Sequence, residues 1–119
     1  MSVQAAVTAE IEGVFERYIQ LAQELTPILA AAKDKETADY NAKALYDVLP
    51  KVYDARTELM KIEKLSPEAQ AELVQKYGKT MQTEWGKVYE HIFRLEKSNC
   101  YHSLTFFKQF RALCMMLQQ

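Results

Sequence analysis

Histidine and cysteine are the scarcest of the residues in this chain whose side chains could bind a metal or attack a substrate, and the chain has two of each. A di-iron site in a helical bundle needs a Glu-x-x-His pair on each of two helices. Val88 lies three residues before His91, and Asn99 lies three residues before His102, so this motif is absent. The sequence therefore predicts no bound metal, and haem held by a histidine and a methionine is the remaining cofactor hypothesis.

The cysteines match none of the patterns of a reactive or haem-bearing thiol. Covalent haem needs Cys-x-x-Cys-His, and Cys100-Tyr101-His102 does not match it. Cys100 and His102 are two residues apart, so on a helix they face away from each other and form no nucleophile–base pair. If the segment between them is helical, Cys100 and Cys114 lie about 20 Å apart, which predicts free, partly buried thiols.

Other catalytic signatures are missing from the sequence as well. It contains no Gly-rich phosphate loop, no Gly-x-Ser-x-Gly elbow and no Cys-x-x-Cys pair. The acidic residues fall mostly on the polar faces of the expected helices, where they are solvated. We therefore expect a protein that is not an enzyme, with no catalytic residues, no metal ligands and no cofactor.

Composition bounds the fold class and the partners. The chain has 119 residues, of which 49% are hydrophobic, which is enough for one domain spanning residues 1–119 and too short for two. Only three Gly and three Pro leave little material for turns, which favours an all-α fold. The net charge is −1 and the signs are interspersed, so the sequence does not indicate a nucleic-acid binder.

The helices that must position these side chains are read from the spacing of apolar residues. Between Ile11 and Ala32, three positions of every seven are apolar or aromatic, which gives a stripe that at least two other helices must cover. Gly78 and Gly86 are expected to let a neighbouring helix or ring approach the third helix. The pattern predicts an antiparallel up-down-up bundle of three long helices with a short C-terminal fourth helix, at about residues 9–33, 35–64, 67–98 and 103–117.

Capping residues set the expected starts of the helices. Thr8 precedes the first helix and Asp34 the second. Ser66 followed by Pro67 is the clearest start signal, because proline is favoured at the first helical position. Ser103 is the expected cap of the fourth helix.

The last segment is the most apolar part of the chain, and two hypotheses for it remain open. One face carries Phe106, Phe107, Phe110, Leu113 and Leu117. These side chains either fill the groove left by the first three helices, which we favour, or form an interaction surface for another protein. A homodimer through the aromatic residues that stay exposed is a secondary possibility.

No stretch of the chain reaches the 18 or more apolar residues of a membrane span, and Met1–Glu10 lacks the basic start and long apolar run of a signal peptide. The sequence as written therefore predicts a soluble chain without a membrane span. The compartment stays open, because a Met placed before a mature chain that starts at Ser2 would look the same.

Three segments of the chain carry a resemblance to a known group of proteins. They are Ala31-Ala32-Lys33-Asp34-Lys35-Glu36-Thr37-Ala38, Ser66-Pro67-Glu68 and Asn99-x-Tyr101-x-Ser103-Leu104. With them the chain resembles small, mostly exported helical proteins of unknown function from Verrucomicrobia and Planctomycetes. The resemblance covers most of residues 20–105 and departs in the aromatic, Cys- and Met-rich tail. It implies an extracytoplasmic location for the mature chain, and it supplies no activity and no functional residues.

These observations favour a non-catalytic helical bundle that acts through protein–protein interaction or as a structural module. Its partner would be an unidentified protein or a second copy of the chain. The alternative is a carrier that holds a small ligand or a cofactor such as haem in the bundle core.

Overall fold

The computed structural model describes residues 7–62 and 64–118. Helices make up 88% of these residues and none of them lies in a β-strand, so the fold is all-α. The helices are α1 (Ala9–Ala31), α2 (Lys35–Met60), α3 (residues 67–97) and α4 (Leu104–Leu117). Within the described part of the chain, no helix is both long enough and apolar enough to span a bilayer.

The four expected caps are confirmed. Thr8 accepts a hydrogen bond from the amide of Ile11, and Ser66 accepts one from the amide of Ala69 with Pro67 at the start of the helix. Asp34 and Thr37 form a reciprocal capping box at the start of α2, and Ser103 caps α4 through the amide of Phe106. Each cap satisfies a backbone donor that has no partner within the helix.

The observed helix ends differ from the expected ones where the chain has to turn towards a packing partner. α1 ends at Ala31 because Ala32 is extended, with φ −81° and ψ 101°. α2 ends at Met60, four residues before the expected end, and Ile62 then packs against a second apolar cluster beside α3. Ala32, the residue after α1, is fully buried in the main core, so both helices end where the chain joins an apolar cluster.

Two apolar clusters lie along the described chain. The main core is built from α1, α2, the second half of α3 and α4, and its most deeply buried large side chains include Leu25, Leu29, Leu45, Val52, Val88, Leu95, Phe106 and Leu113. The end cluster is smaller and consists of Ile19, Leu65, Ala69, Leu73 and Tyr77. Met81 touches both clusters and lies between them.

Helix α3 is not the uniform helix that the sequence predicts. It consists of a regular segment Pro67–Leu73, a π-helical turn Val74–Gly78 and a second regular segment Lys79–Lys97. The expectation for the two glycines is wrong: a Cβ at Gly78 would contact Val74 of the same turn, at 3.3 Å from Cγ1, and a Cβ at Gly86 would have no atom within 4 Å. Gly78 therefore accommodates the π turn instead of a neighbouring helix.

A left-handed turn connects α3 to α4. Four consecutive residues, Asn99–His102, have φ values between 51° and 64°, and none of them is glycine. The amide of Tyr101 donates to the carbonyl of Ser98 at 2.9 Å, and the amide of Ser103 donates to that of Cys100 at 3.0 Å. Left-handed helical geometry costs about 1–2 kcal/mol for each L-residue, so this turn must be held by its surroundings.

The end of α1 is closed by a side chain from α3. The Arg94 guanidinium donates to the carbonyl of Ala32 at 2.8 Å and to that of Leu29 at 2.9 Å. It also donates to the Tyr101 hydroxyl at 2.6 Å. A cation at a helix C-terminus satisfies free carbonyls and complements the helix dipole. One arginine thus joins α1, α3 and the left-handed turn.

Candidate functional site

An apolar groove of about 450 Å³ lies beside the end cluster, along the first half of α3. Its lining consists of apolar and aromatic side chains, one glycine and two glutamines: Phe15, Leu65, Gln70, Leu73, Val74, Tyr77, Gly78, Met81 and Gln82. Phe15 comes from α1, Leu65 from the connection after α2, and the other residues from α3. The groove therefore lies where α3 meets the start of α1, away from the main core.

The π turn shapes this groove. A π-helical turn takes one residue more than an α-helical turn, and such turns are frequent at functional sites. Here the turn buries Tyr77, which is 7% exposed, while Val74 is 69% exposed at the wall of the groove. An apolar side chain thus lines the groove and remains in contact with solvent.

Tyr77 anchors the groove to α1. Its hydroxyl lies 3.1 Å from a carboxylate oxygen of Glu12 and 3.0 Å from one of Glu16, so the single proton is shared between two acceptors. Its ring stacks on Phe15 with centroids 6.0 Å apart. Burial, together with the two carboxylates, raises the pKa of Tyr77 to about 12. The hydroxyl therefore stays protonated and acts as a structural donor.

One of the two carboxylates opposite Tyr77, that of Glu12, is itself paired. Lys76 forms an ion pair with Glu12. Hydrogen bonds from Lys76 and Tyr77 lower the pKa of the Glu12 carboxyl below its ordinary value. The polar groups at this end of the groove are thus used for holding α3 against α1, and the floor of the groove is left apolar.

An aromatic pair, Tyr18 and Trp85, lies at the end of the main core and joins three helices. The Trp85 ring stacks on Tyr18 with centroids 4.5 Å apart, and its Nε1 donates to the Tyr18 carbonyl at 3.1 Å. The Tyr18 hydroxyl lies 3.4 Å from Nη1 of Arg56. These contacts join α1, α2 and α3 and fix the position of the groove relative to the core.

The histidines and cysteines are placed for structural roles. Nδ1 of His91 lies 3.2 Å from Nη2 of Arg94, and burial and this guanidinium lower the pKa of His91, so its neutral ring accepts a hydrogen bond. His102 is exposed. Cys100 is fully buried and Cys114 is half-buried, both as free thiols, as expected. Burial raises the pKa of Cys100 to about 11, which keeps it as an unreactive thiol.

Metal-binding side chains do not converge in the part of the chain that the structure describes. Across residues 7–62 and 64–118, no group of three His, Cys, Asp or Glu side chains could hold a metal ion.

The five residues of the predicted C-terminal surface separate into two environments. Phe106, Phe110 and Leu113 are buried in the main core, and Leu117 is partly buried against it. Phe107 is 41% exposed and lies with Leu104, which is 82% exposed, at a depression of about 250 Å³. Most of the apolar face of α4 thus belongs to the interior.

The sequence analysis assigns Leu73, Tyr77 and Met81 to one long third helix and does not predict that they line a separate groove. The signal was present in the spacing of Leu73, Tyr77, Met81 and Trp85, which follow one another at intervals of four. Three such steps in a regular α-helix turn the stripe by about 120°, since each residue turns by about 100°. A π turn holds more residues than an α-helical turn, so it removes part of this rotation. The apolar side chains before and after the turn can then each pack into a cluster.

Comparisons of the chain with protein-family models, with curated proteins and with solved structures found no match.

Proposed function

We propose that this chain is a non-catalytic helical bundle that acts by protein–protein interaction, and that its groove beside the π turn binds the apolar face of a partner's amphipathic helix. The observation that carries the proposal is the apolar lining of the groove with the 69% exposed Val74 in its wall. Helix-in-groove recognition uses apolar anchors spaced by three, four and seven residues, which fit a trough that runs along a helix.

The rim of the groove supports a peptide ligand. Gln70 and Gln82 line it, and Nε2 of Gln70 already donates to the Leu65 carbonyl at 2.9 Å. Neutral amides at the edge of an apolar trough can form hydrogen bonds with a polypeptide without selecting a charge. The charged residues nearby, Glu12 and Lys76, are paired with each other.

The side chains in the core favour this role over that of a ligand carrier. In the main core, large side chains such as Leu25, Leu45 and Phe106 are fully buried and pack within one cluster. A haem or a ligand of similar size would need this volume. The buried, protonated Cys100 and the hydrogen-bonded His91 also favour a protein without catalytic chemistry.

The arrangement of the helices that we propose is up-down-up, with α4 packed mainly on α2. Contacts between α1 and α2 support antiparallel packing, because residue numbers rise along one helix while they fall along the other. In the contacts between α1 and α3, residue numbers rise together along both helices, which supports parallel packing. These contacts are Arg17–Glu58 and Glu24–Lys51 for the first pair, and Phe15–Tyr77, Tyr18–Trp85 and Leu29–Arg94 for the second.

The proposal is tested with Val74→Glu and a matched control, Gln75→Glu. Both positions are exposed in the same turn and both variants add one carboxylate, but only Val74 lines the groove. Helical peptides selected for binding to the wild-type chain serve as the probe. We expect Val74→Glu to weaken their binding at least tenfold and Gln75→Glu to leave it unchanged, as measured by titration calorimetry.

Circular dichroism melting of both variants serves as the folding control. Selected peptides that bind the two variants equally well would place the binding surface elsewhere and overturn the proposal. A selection that yields no helical binder would do the same.

A further inference from the structure

The residue types in the left-handed turn between α3 and α4 are unusual for its backbone conformation. Asn99, Cys100, Tyr101 and His102 all have positive φ, a region that glycine adopts freely and other L-residues adopt rarely. The turn is fixed from both sides. Arg94 donates to the Tyr101 hydroxyl, and Ser103 donates to Asp39 of α2.

The same four residues can form ordinary right-handed helix, because the turn contains neither glycine nor proline. Residues 67–117 would then form one continuous helix about 75 Å long. The apolar pattern supports such a helix: Trp85, Ile92, Phe106 and Leu113 lie on one sevenfold repeat, with Asn99 at its middle position. The stripe of α4 thus continues the stripe of α3 across the turn.

Opening the turn would remove α4 from its own bundle. Phe106, Phe110 and Leu113, which are 0%, 5% and 0% exposed, would then face water together with the surface of α2 that they cover. That exposed surface must be covered again. The segment that matches it in shape and chemistry is the α4 helix of a second copy, since it reproduces the core contacts of Phe106, Phe110 and Leu113.

We propose that two copies of this chain exchange their α4 helices, with Asn99–His102 as the hinge. In the exchanged dimer, each α3 and α4 form one helix, and the two hinges cross near a two-fold axis. Relief of the left-handed backbone favours the dimer, while the loss of the Arg94–Tyr101 and Asp39–Ser103 contacts at the hinge opposes it. The exchange involves α4 and the hinge, so it is independent of the groove beside the π turn.

The experiment compares Asn99→Gly/His102→Gly with Asn99→Ala/His102→Ala. Both side chains are exposed, so both variants remove the same surface groups. Glycine adopts positive φ without strain, so it stabilises the closed turn, and its low helix propensity destabilises the helical hinge of the dimer. Alanine keeps the strain of the closed turn and favours the helical hinge. We expect the dimer dissociation constant of the glycine variant to exceed that of the alanine variant by at least about 100-fold, with wild type between them.

Sedimentation equilibrium after refolding at high protein concentration measures these constants. Equal constants for the two variants would overturn the proposal. So would wild-type and alanine-variant chains that both remain monomeric at a concentration of about 1 mM.

A cross-link distinguishes exchange from simple association of closed monomers. Oγ1 of Thr105 lies 3.1 Å from a carboxylate oxygen of Asp39, so the variant Asp39→Cys/Thr105→Cys places two thiols side by side at the surface. The variant also carries Cys100→Ala and Cys114→Ala, so that neither native thiol can form the cross-link. After oxidation of the dimer fraction, exchange predicts covalently linked dimers on a non-reducing gel. Cross-links confined to single chains would show closed subunits and contradict the exchange.

Discussion

The main core and the end cluster differ in how completely they are enclosed. In the main core, α1, α2, α3 and α4 surround side chains such as Leu29, Leu45 and Phe106, which have no exposed surface. In the end cluster, the five buried residues retain between 4% and 9% exposure, and the groove opens directly beside them. A side chain in the end cluster therefore has fewer partners to lose than one in the main core.

This difference assigns separate tasks to the two regions. Burial of apolar surface is the dominant stabilising contribution, so the main core supplies most of the stability. Binding surfaces are drawn from the less stable parts of a structure, because they must admit a partner. The end cluster, with its π turn and open groove, has the properties of such a surface.

Truncation of the chain after His102 should have the largest effect. It removes Phe106, Phe110 and Leu113, each of which stabilises the fold by about 1.5–3 kcal/mol through burial. Their sum of about 4.5–9 kcal/mol is comparable to the whole stability of a domain in the lower part of the usual range of roughly 5–15 kcal/mol. We expect the truncated chain to lose its cooperative thermal transition in circular dichroism. A cooperative transition within a few degrees of the full chain would show that α4 is not needed for the main core.

Replacing one leucine in each cluster sharpens the comparison. Leu45 is fully buried in the main core and Leu73 is 5% exposed in the end cluster. We expect Leu45→Ala to lower the free energy of unfolding by about 3–5 kcal/mol and Leu73→Ala by about 2 kcal/mol, because the open cluster can relax around the smaller side chain. Urea denaturation measures both. Equal losses would contradict the difference between the clusters.

Alkaline pH should weaken the end cluster through Tyr77, with the smallest effect of the three changes. The pKa of Tyr77 is raised to about 12 in the folded chain, from an ordinary value of about 10. Its contribution to stability is therefore complete below pH 10 and is lost as the pH rises towards 12. We expect this part of the pH dependence to disappear in Tyr77→Phe, as measured by urea denaturation from pH 9 to 12. A pH dependence of stability that is the same in Tyr77→Phe and wild type would show that Tyr77 does not contribute to it.

Local chemistry explains what could be predicted from the sequence. Thr8, Asp34, Ser66 and Ser103 were identified as caps because each cap depends on one side chain and an amide three residues later. The all-α fold followed from the apolar period and the scarcity of glycine. Both signals are contained in short windows of sequence.

The remaining features depend on contacts between distant residues. The left-handed turn at Asn99–His102 contains no glycine that would indicate positive φ values in the sequence. Contacts from Arg94 and Asp39 help to hold it. The π turn lies inside one long apolar pattern that predicts a single third helix, although the repeated spacing of four residues in this pattern is a usable sign of the turn. The separate end cluster arises only when Tyr77 meets Phe15 and Glu16 of α1.

Native-state hydrogen exchange tests the division of the molecule into an enclosed core and an open end. Amides of residues 69–78 in α3 should exchange through local openings whose free energy lies clearly below that of global unfolding. Amides of residues 42–52 in α2 and 85–95 in α3 should exchange only through global unfolding. A single opening free energy for all three segments would show one uniformly stable unit and contradict the account.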